Sequence, residues 1–320
     1  MIPSREFVEQ AAARTGFQQS SLEKVIMLGD LAGDISRHPL LKDGLILKGG
    51  TALNLGFGPP SRLSVDLDFN YVGHLDREKM LEDRPQYEEA VIALARKKGF
   101  HVQQSADTFA GRKIFCTYRS VLGPNDRVEI DLNYLFRLPI GPPEFRSLWQ
   151  PGEIPSPRLK VVDLSELFIG KFLAAVDRVA IRDIWDIGQI PRIAPNITDS
   201  RDFRARFIAL SAILDHPLSE YSLGRIKDRL LPQSIETKLL PMLNSGDIDL
   251  VDKSIQKAFE IISSLLVLSD DELKYVNAVA EGELHLEYLF PDNLSEAERL
   301  TNHPALLWKI HNVQQEKNKP

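Results

Sequence analysis

Two aspartates placed two residues apart are the first candidates for chemistry in this chain. Asp66 and Asp68 lie in a strand-like run from Ser64 to Tyr71. Residues two apart on a β-strand point to the same face, so both carboxylates can hold one hard cation while Leu67 faces the other way. An Asp-x-Asp pair alone is more often part of a solvated strand edge. The metal hypothesis therefore needs a second feature nearby.

A pair of glycines supplies that feature. Gly49 and Gly50 follow the short apolar run 45–48, which predicts a buried strand, and Thr51 is a plausible cap for a helix that starts there. Missing side chains let a backbone come close to a phosphate, and a helix N-terminus offers unpaired N–H groups to it. Strand, turn, helix and acidic strand within one short segment favour a metal and phosphate site over a plain turn.

A third carboxylate is expected on a later strand. In the segment Arg127 to Tyr134, apolar residues alternate with polar ones, which places Glu129, Asp131 and Asn133 on one face. In two-metal phosphoryl transfer a third acid on a neighbouring strand completes the site. Asp131 is the first candidate and Glu129 the fallback. The alternative is the solvated face of an edge strand.

Charged residues recur at helical spacing further along the chain. Lys171, Arg178, Arg182 and Asp186 fall at i, i+7, i+11 and i+15, so an unbroken helix would align them on one narrow stripe. Three cations on one face suit a triphosphate or an RNA backbone. The alternative is a solvated, salt-bridged helix face, and Arg182 with Asp186 alone would be an ordinary i, i+4 pair.

Two blocks of the sequence resemble a known enzyme family. Gly-Gly-Thr-Ala-Leu at 49–53, followed by Arg-Leu-Ser-Val-Asp-Leu-Asp-Phe at 62–69, resembles the signature of the AbiEii/AbiGii nucleotidyltransferases and their MenT-like relatives. These enzymes belong to the DNA polymerase beta-type nucleotidyltransferase superfamily. Lys-x-x-x-Ala at 171–175, then Arg178 and Arg-Asp-x-x-Asp at 182–186, resembles the second signature of the family. The resemblance is strongest over residues 45–72, continues to about residue 190 and is weak beyond it.

The resemblance implies an enzyme that moves an NMP from an NTP to an acceptor with the help of Mg²⁺ or Mn²⁺. It implies metal binding by Asp66, Asp68 and Asp131. It implies nucleotide binding by Gly49, Gly50, Thr51, Arg62, Ser64, Lys171, Arg178 and Arg182, and catalytic support by Asp183 or Asp186, which Arg182 would orient. It also implies a toxin of a type IV toxin–antitoxin or phage-abortive system, with a cognate antitoxin as partner and tRNA 3′ ends as acceptor.

The order of the elements predicts an α+β fold with a mixed, nucleotidyltransferase-type sheet flanked by helices. Helical patterns cover 4–15, 20–37 and 76–98, and β-rich runs cover 100–105, 113–120 and 127–136. Residues 137–157 contain six prolines and predict an irregular connection at a domain boundary. Later segments are helical. We expect a catalytic core at 1–157 and a helical domain at 158–320 whose first helices complete the active site.

Composition predicts a cytoplasmic protein with no membrane partner. No signal peptide is evident, the longest apolar run is too short to cross a bilayer, and Cys116 is the single cysteine. The net charge is −6, but residues 207–320 hold 11 basic and 18 acidic residues. Subtracting these from the totals of 39 and 45 leaves 28 and 27 elsewhere, a balance compatible with an anionic substrate.

Two other functions fit the same residues. The enzyme could modify a hydroxyl of a small molecule or a protein, which the acidic C-terminal part favours slightly over tRNA. Alternatively, the chain could be a nucleotide-binding regulator without turnover, although the intact set of acids speaks against that.

Overall fold

The computed structural model describes residues 3–318, which form two compact units. The first unit extends to Asp163 and also contains Leu240–Asp249, while the second contains Leu164–Leu239 and the chain from Leu250 onward. The boundary thus follows Asp163 instead of residue 157. The late segment joins the first unit because the backbone N–H of Leu63 donates to Met242 O at 2.7 Å. A segment that packs against residues so distant in sequence cannot be recognised from a local sequence pattern.

The first unit combines helices with a mixed sheet. Its helices are α1 (Arg5–Thr15), α2 (Gln19–Ile35), α3 (Leu41–Gly44), α4 (Gly49–Gly56) and α5 (Arg77–Lys97). Its strands are β1 (Leu45–Lys48), β2 (Asp66–Tyr71), β3 (His101–Gln104), β4 (Gly111–Arg119), β5 (Asn125–Asn133), β6 (Glu144–Ser147) and β7 (Arg158–Val161). A short 3-10 turn, Leu240–Met242, belongs to the same unit.

The seven strands form one sheet in the order β3-β4-β5-β2-β1-β7-β6. β2 pairs with β5 and β1 pairs with β7 in parallel, and the other neighbouring pairs are antiparallel. Buried and partly exposed residues alternate along β4 and β5, as expected for strands with one covered face. α2 packs against β2, β5 and β7, and α5 packs against α2 and β3. The predicted α+β class is confirmed.

Two strands lie where the sequence predicted only an irregular connection or no strand. β6 falls inside the proline-rich stretch 137–157, and β7 begins directly after Pro157. The prolines flank these four-residue strands without interrupting them, so no ladder donor is lost inside a strand. The prolines around them predict turns and irregular chain, so neither run was predicted as a strand. Together they extend the sheet beyond β1.

The second unit is helical, as predicted. Its helices are α6 (Leu164–Asp177), α7 (Ile181–Gly188), α8 (Ile190–Ile193), α9 (Arg201–Ser211), α10 (Leu223–Arg229), α11 (Val251–Leu265), α12 (Asp270–Ala280), α13 (Leu294–Thr301) and α14 (Pro304–Lys317). α7 packs against α6 and α11, and its Ile184, Trp185 and Ile187 are fully buried. No helix within residues 3–318 is both long enough and apolar enough to cross a membrane.

The helix that was predicted to carry the basic stripe is broken. α6 ends at Asp177 and α7 begins at Ile181, with Val179 between them in the left-handed region at φ 52°. A single stripe through Lys171, Arg178 and Arg182 is therefore wrong. No glycine or proline marks the break in the sequence, and a β-branched residue rarely adopts this conformation.

Candidate active site

Four carboxylates share one face of the sheet in the first unit. In the parallel pair β2–β5, Asp66 lies opposite Glu129 and Asp68 lies opposite Asp131. Paired residues on neighbouring strands project to the same side at a strand spacing of about 4.8 Å. All four are partly exposed, whereas the residues between them are buried. The three acids predicted as metal ligands thus lie at adjacent positions on one face.

Two cations contact the carboxylates of β5. Lys113 of β4 lies opposite Asp131, and its Nζ is 3.6 Å from Asp131 Oδ2 and 3.9 Å from Glu129 Oε2. Arg127 donates to Glu129 Oε1 at 2.8 Å.

In the part of the chain that the structure describes, no group of three or more His, Cys, Asp or Glu side chains is arranged to hold a metal ion. Asp131 lies on a strand next to β2, as predicted, but its carboxylate is close to a lysine.

The two carboxylates of β2 suit a hard divalent cation. Both Asp66 and Asp68 offer the oxygen ligands that Mg²⁺ and Mn²⁺ prefer, and they lie on one face of the strand. Ser64 donates from Oγ to Asp66 Oδ1 at 2.9 Å, which orients that carboxylate. The oxygen donors on β2 are therefore of the type that fits the predicted metal, and metal binding by Asp66 and Asp68 stays a prediction.

The glycine pair is shaped around these side chains. Gly49 has φ 74°, and a Cβ at this position would collide with Asp68 Oδ2. A Cβ on Gly50 would lie 2.7 Å from Ser64 Oγ. Both glycines thus allow the start of α4 to pack directly against the carboxylates and the serine beside them. Phosphate binding at this turn stays a prediction.

Thr51 and Arg62 have structural contacts that the sequence did not indicate. α4 begins at Gly49, so Thr51 lies inside the first turn and does not cap the helix as predicted. Its hydroxyl donates to the backbone oxygen of Asp66. Arg62 is only 2% exposed, and its guanidinium donates to Leu63 O at 2.9 Å. These contacts position the start of β2, and the predicted nucleotide contacts of both residues stay predictions.

The second unit contains a buried cluster of charges. Lys171 Nζ lies 2.9 Å from Asp183 Oδ1 and 2.8 Å from Asp186 Oδ2. Arg178 donates to Asp183 Oδ2 from Nε at 3.0 Å and from Nη2 at 2.7 Å. The break between α6 and α7 makes this arrangement possible, because it turns α7 back against α6. Lys171, Arg178, Asp183 and Asp186 of the second signature are thus in contact with each other, although not as a stripe along one helix.

Burial and charge act in opposite directions on Asp183. Burial alone would raise the pKa of its carboxyl, but the charges of Lys171 and Arg178 outweigh it and hold the pKa below its ordinary value. Arg178 is 65% exposed at its side chain, whereas Lys171 is 8% exposed. Within the described residues, Arg182 forms no ion pair with this cluster and is only half-buried. Its predicted orienting role stays a prediction.

The second unit also contains a cavity of about 420 Å³ between α9, α12 and α14. Its lining includes Ser211, Tyr275, Val279, Lys309 and Val313, and it includes none of the predicted site residues. The cavity is therefore separate from the residues that the sequence singled out in the second unit.

Sequence reasoning missed two lysines close to the carboxylates. Lys48 lies opposite Asp68 in the β1–β2 pair, and its Nζ is 5.5 Å from the centre of the Phe136 ring. Lys113 lies opposite Asp131. β4 and β5 are joined by a loop that places Arg119 opposite Asn125, and this register, which the sequence does not specify, is what brings Lys113 opposite Asp131.

Comparison with known proteins identifies the family of this chain and a similar fold. A family model described as nucleotidyl transferase AbiEii toxin, type IV toxin–antitoxin system, matches residues 33–262. Among solved structures, the chain is similar to MenT4, a nucleotidyltransferase toxin from Mycobacterium tuberculosis H37Rv, with a TM-score of 0.61 and 19% sequence identity. That similarity covers 95% of this chain and 99% of the other, and it supports the fold. A search of curated proteins finds no match.

Proposed function

This chain belongs to the AbiEii family of nucleotidyltransferase toxins of type IV toxin–antitoxin systems, and from that premise we propose which chemistry its residues perform. The proposed reaction is transfer of an NMP from an NTP to a hydroxyl at the 3′ end of tRNA. The hydroxyl oxygen bonds to the α-phosphorus, the bond to the pyrophosphate oxygen breaks, and pyrophosphate and the hydroxyl proton leave. A cognate antitoxin is the proposed protein partner.

Asp66 and Asp68 are the proposed ligands of Mg²⁺ or Mn²⁺, with Asp131 assisting. When bound, such a cation would neutralise charge that develops on the phosphates. Ser64 holds Asp66 by its hydrogen bond, and Gly49 leaves the space that Asp68 needs. These contacts pre-orient both carboxylates before substrate arrives, which lowers the cost of organising the site during the reaction.

Lys171 has a different proposed role from the one that the resemblance implies. Its ammonium group lies between two buried carboxylates, so we propose that it stabilises Asp183 and Asp186 instead of contacting a phosphate directly. Arg178 is the more accessible cation of this cluster and the better candidate for contact with an anionic substrate.

The observation that carries the proposal is the set of carboxylates on β2 and β5 beside a glycine turn that packs on Asp68. The test incubates the full-length protein with each labelled NTP, Mg²⁺ and total RNA, and separates the products by size. We expect label in tRNA-sized RNA, and we expect its loss with Asp66→Asn or Asp68→Asn, which keep size while removing charge. Asp202→Asn, an exposed aspartate in α9, is the matched control.

The possible outcomes separate the proposed acceptors. Label on a small molecule or on protein would move the acceptor to the second candidate, which the acidic C-terminal part of the chain favours. Unchanged transfer by Asp66→Asn would remove the proposed metal site. Transfer without added divalent cation, in the presence of a chelator, would have the same consequence.

A further inference from the structure

Lys113 is the basic residue directly opposite the third carboxylate of the candidate site. Its Nζ lies 3.6 Å from Asp131 Oδ2 and 3.9 Å from Glu129 Oε2. Both distances exceed ordinary hydrogen-bond length, so the attraction is electrostatic and is not fixed by directional bonds. We propose that Lys113 is a built-in counter-ion that competes with a divalent cation for Asp131. This inference rests on the proposed metal site at Asp66 and Asp68.

The register of β4, β5 and β2 puts Lys113, Asp131 and Asp68 on one face of the sheet. Asp131 pairs with Lys113 on β4 and with Asp68 on β2, so it lies between a lysine and a proposed metal ligand. Directly paired residues of adjacent strands are within reach of each other's side chains. Asp131 can therefore turn toward the lysine or toward a cation held at β2. It cannot satisfy both equally with the same carboxylate oxygen.

The lysine is well suited to be displaced. Its side chain is 52% exposed and that of Asp131 is 34% exposed, so water screens their attraction. Exposed pairs of this kind contribute little, and a divalent cation that meets two or three carboxylates attracts Asp131 more strongly. Lys113 thus reduces repulsion among four neighbouring acids without blocking the site.

The test measures Mn²⁺ binding to the nucleotide-free, full-length protein, with free Mn²⁺ quantified by its electron paramagnetic resonance signal. Lys113→Met should tighten Mn²⁺ binding by ~3–5-fold, which corresponds to the removal of one exposed ion pair. Lys113→Arg restores the charge and should bind like the parent protein. Lys97→Met, which removes an exposed lysine from the last turn of α5, should also leave binding unchanged.

Asp131→Asn separates competition from a general change in charge. If Lys113 acts through Asp131, Lys113→Met should tighten binding much less in the Asp131→Asn background than in the parent. Equal tightening in both backgrounds would overturn the proposal, as would unchanged or weaker binding by Lys113→Met. Circular dichroism of each variant verifies that it folds.

Asp66→Asn distinguishes failure of this inference from failure of the proposed function. A parent protein that binds Mn²⁺, loses it with Asp66→Asn and is insensitive to Lys113→Met would retain the metal site and overturn the role of Lys113. A parent protein that binds no Mn²⁺, or binds it equally well with Asp66→Asn, would overturn both.

Discussion

Asp66 and Asp68 depend on neighbours that an alternating strand pattern does not reveal. Thr51 holds the backbone of Asp66, Ser64 holds its carboxylate, and Gly49 leaves room for Asp68. Each neighbour contributes one contact with specific geometry, and together they fix where the two carboxylates point. At the scale of residues, the site is therefore a set of small, specific contacts around two charges.

Gly49→Ala should disable the site through a single added methyl group. The new Cβ would collide with Asp68 Oδ2, and alanine at φ 74° costs about 1–2 kcal/mol. We expect a lower unfolding midpoint together with loss of Mn²⁺ binding and of NMP transfer. Gly99→Ala is the matched control, since Gly99 has φ 85° with open space around its Cβ position. It should lose similar stability and keep Mn²⁺ binding. Equal Mn²⁺ affinity in the two variants would refute the collision.

Two arrangements of elements bring the charged residues together. The β4–β5–β2 register aligns Lys113, Asp131 and Asp68 across three strands. The break between α6 and α7 lets Lys171 meet both Asp183 and Asp186. In each case the chain supplies charged residues that are far apart in sequence, and the geometry of the elements makes them neighbours.

Lys171→Met should destabilise the second unit strongly. Removal of this cation leaves Asp183 and Asp186 buried with less compensation, which costs about 3–5 kcal/mol in comparable buried pairs. Arg178→Met should cost less, about 1–2 kcal/mol, because Lys171 stays beside Asp183. Urea unfolding followed by circular dichroism measures both. Normal stability of Lys171→Met combined with weakened NTP binding would instead support direct phosphate contact by Lys171.

At the scale of the molecule, stability depends on several partly or fully buried carboxylates of the second unit that are paired with basic side chains. Burial alone would raise the pKa of Asp183, Glu272 and Glu296, yet ion pairs with basic side chains lower each below its ordinary value. Arg204 is the partner of Glu272. Because these groups are more acidic in the folded state than in the unfolded chain, their charged form contributes to stability.

The lowered pKa values predict that the folded protein loses stability in acid. The unfolded chain has carboxyl pKa values of about 4, so the contribution is fully present above that pH. It is lost as the pH falls through the lower pKa values of the folded state. The urea midpoint should therefore fall steeply below about pH 4 and change little between pH 7 and pH 5. A midpoint that stays constant down to pH 3 would contradict the prediction. Arg204→Met should lower the midpoint at pH 7 and flatten its dependence on pH.

Local sequence patterns were sufficient to predict much of the fold and the strand faces on which the acidic residues of β2 and β5 lie. The alternation in β5 placed Glu129 and Asp131 on one face, and the spacing of Asp66 and Asp68 placed both on one side of β2. The strands β6 and β7 were not predicted, because the prolines around them indicate turns and the strands form only when these segments pair beside β1. The break at Val179 could not be recognised either, because no glycine or proline marks it in the sequence.

The sequence by itself determined the α+β class, the glycine turn, the acids of β2 and β5 and the family, since these depend on residue type and short-range spacing. Only the tertiary structure decided that Lys113 opposes Asp131, that Thr51 holds Asp66 and that Lys171 is buried between two aspartates. Strand order, register and helix packing determine those contacts. They arise from burial of apolar surface over the whole unit, to which the charged residues themselves contribute little.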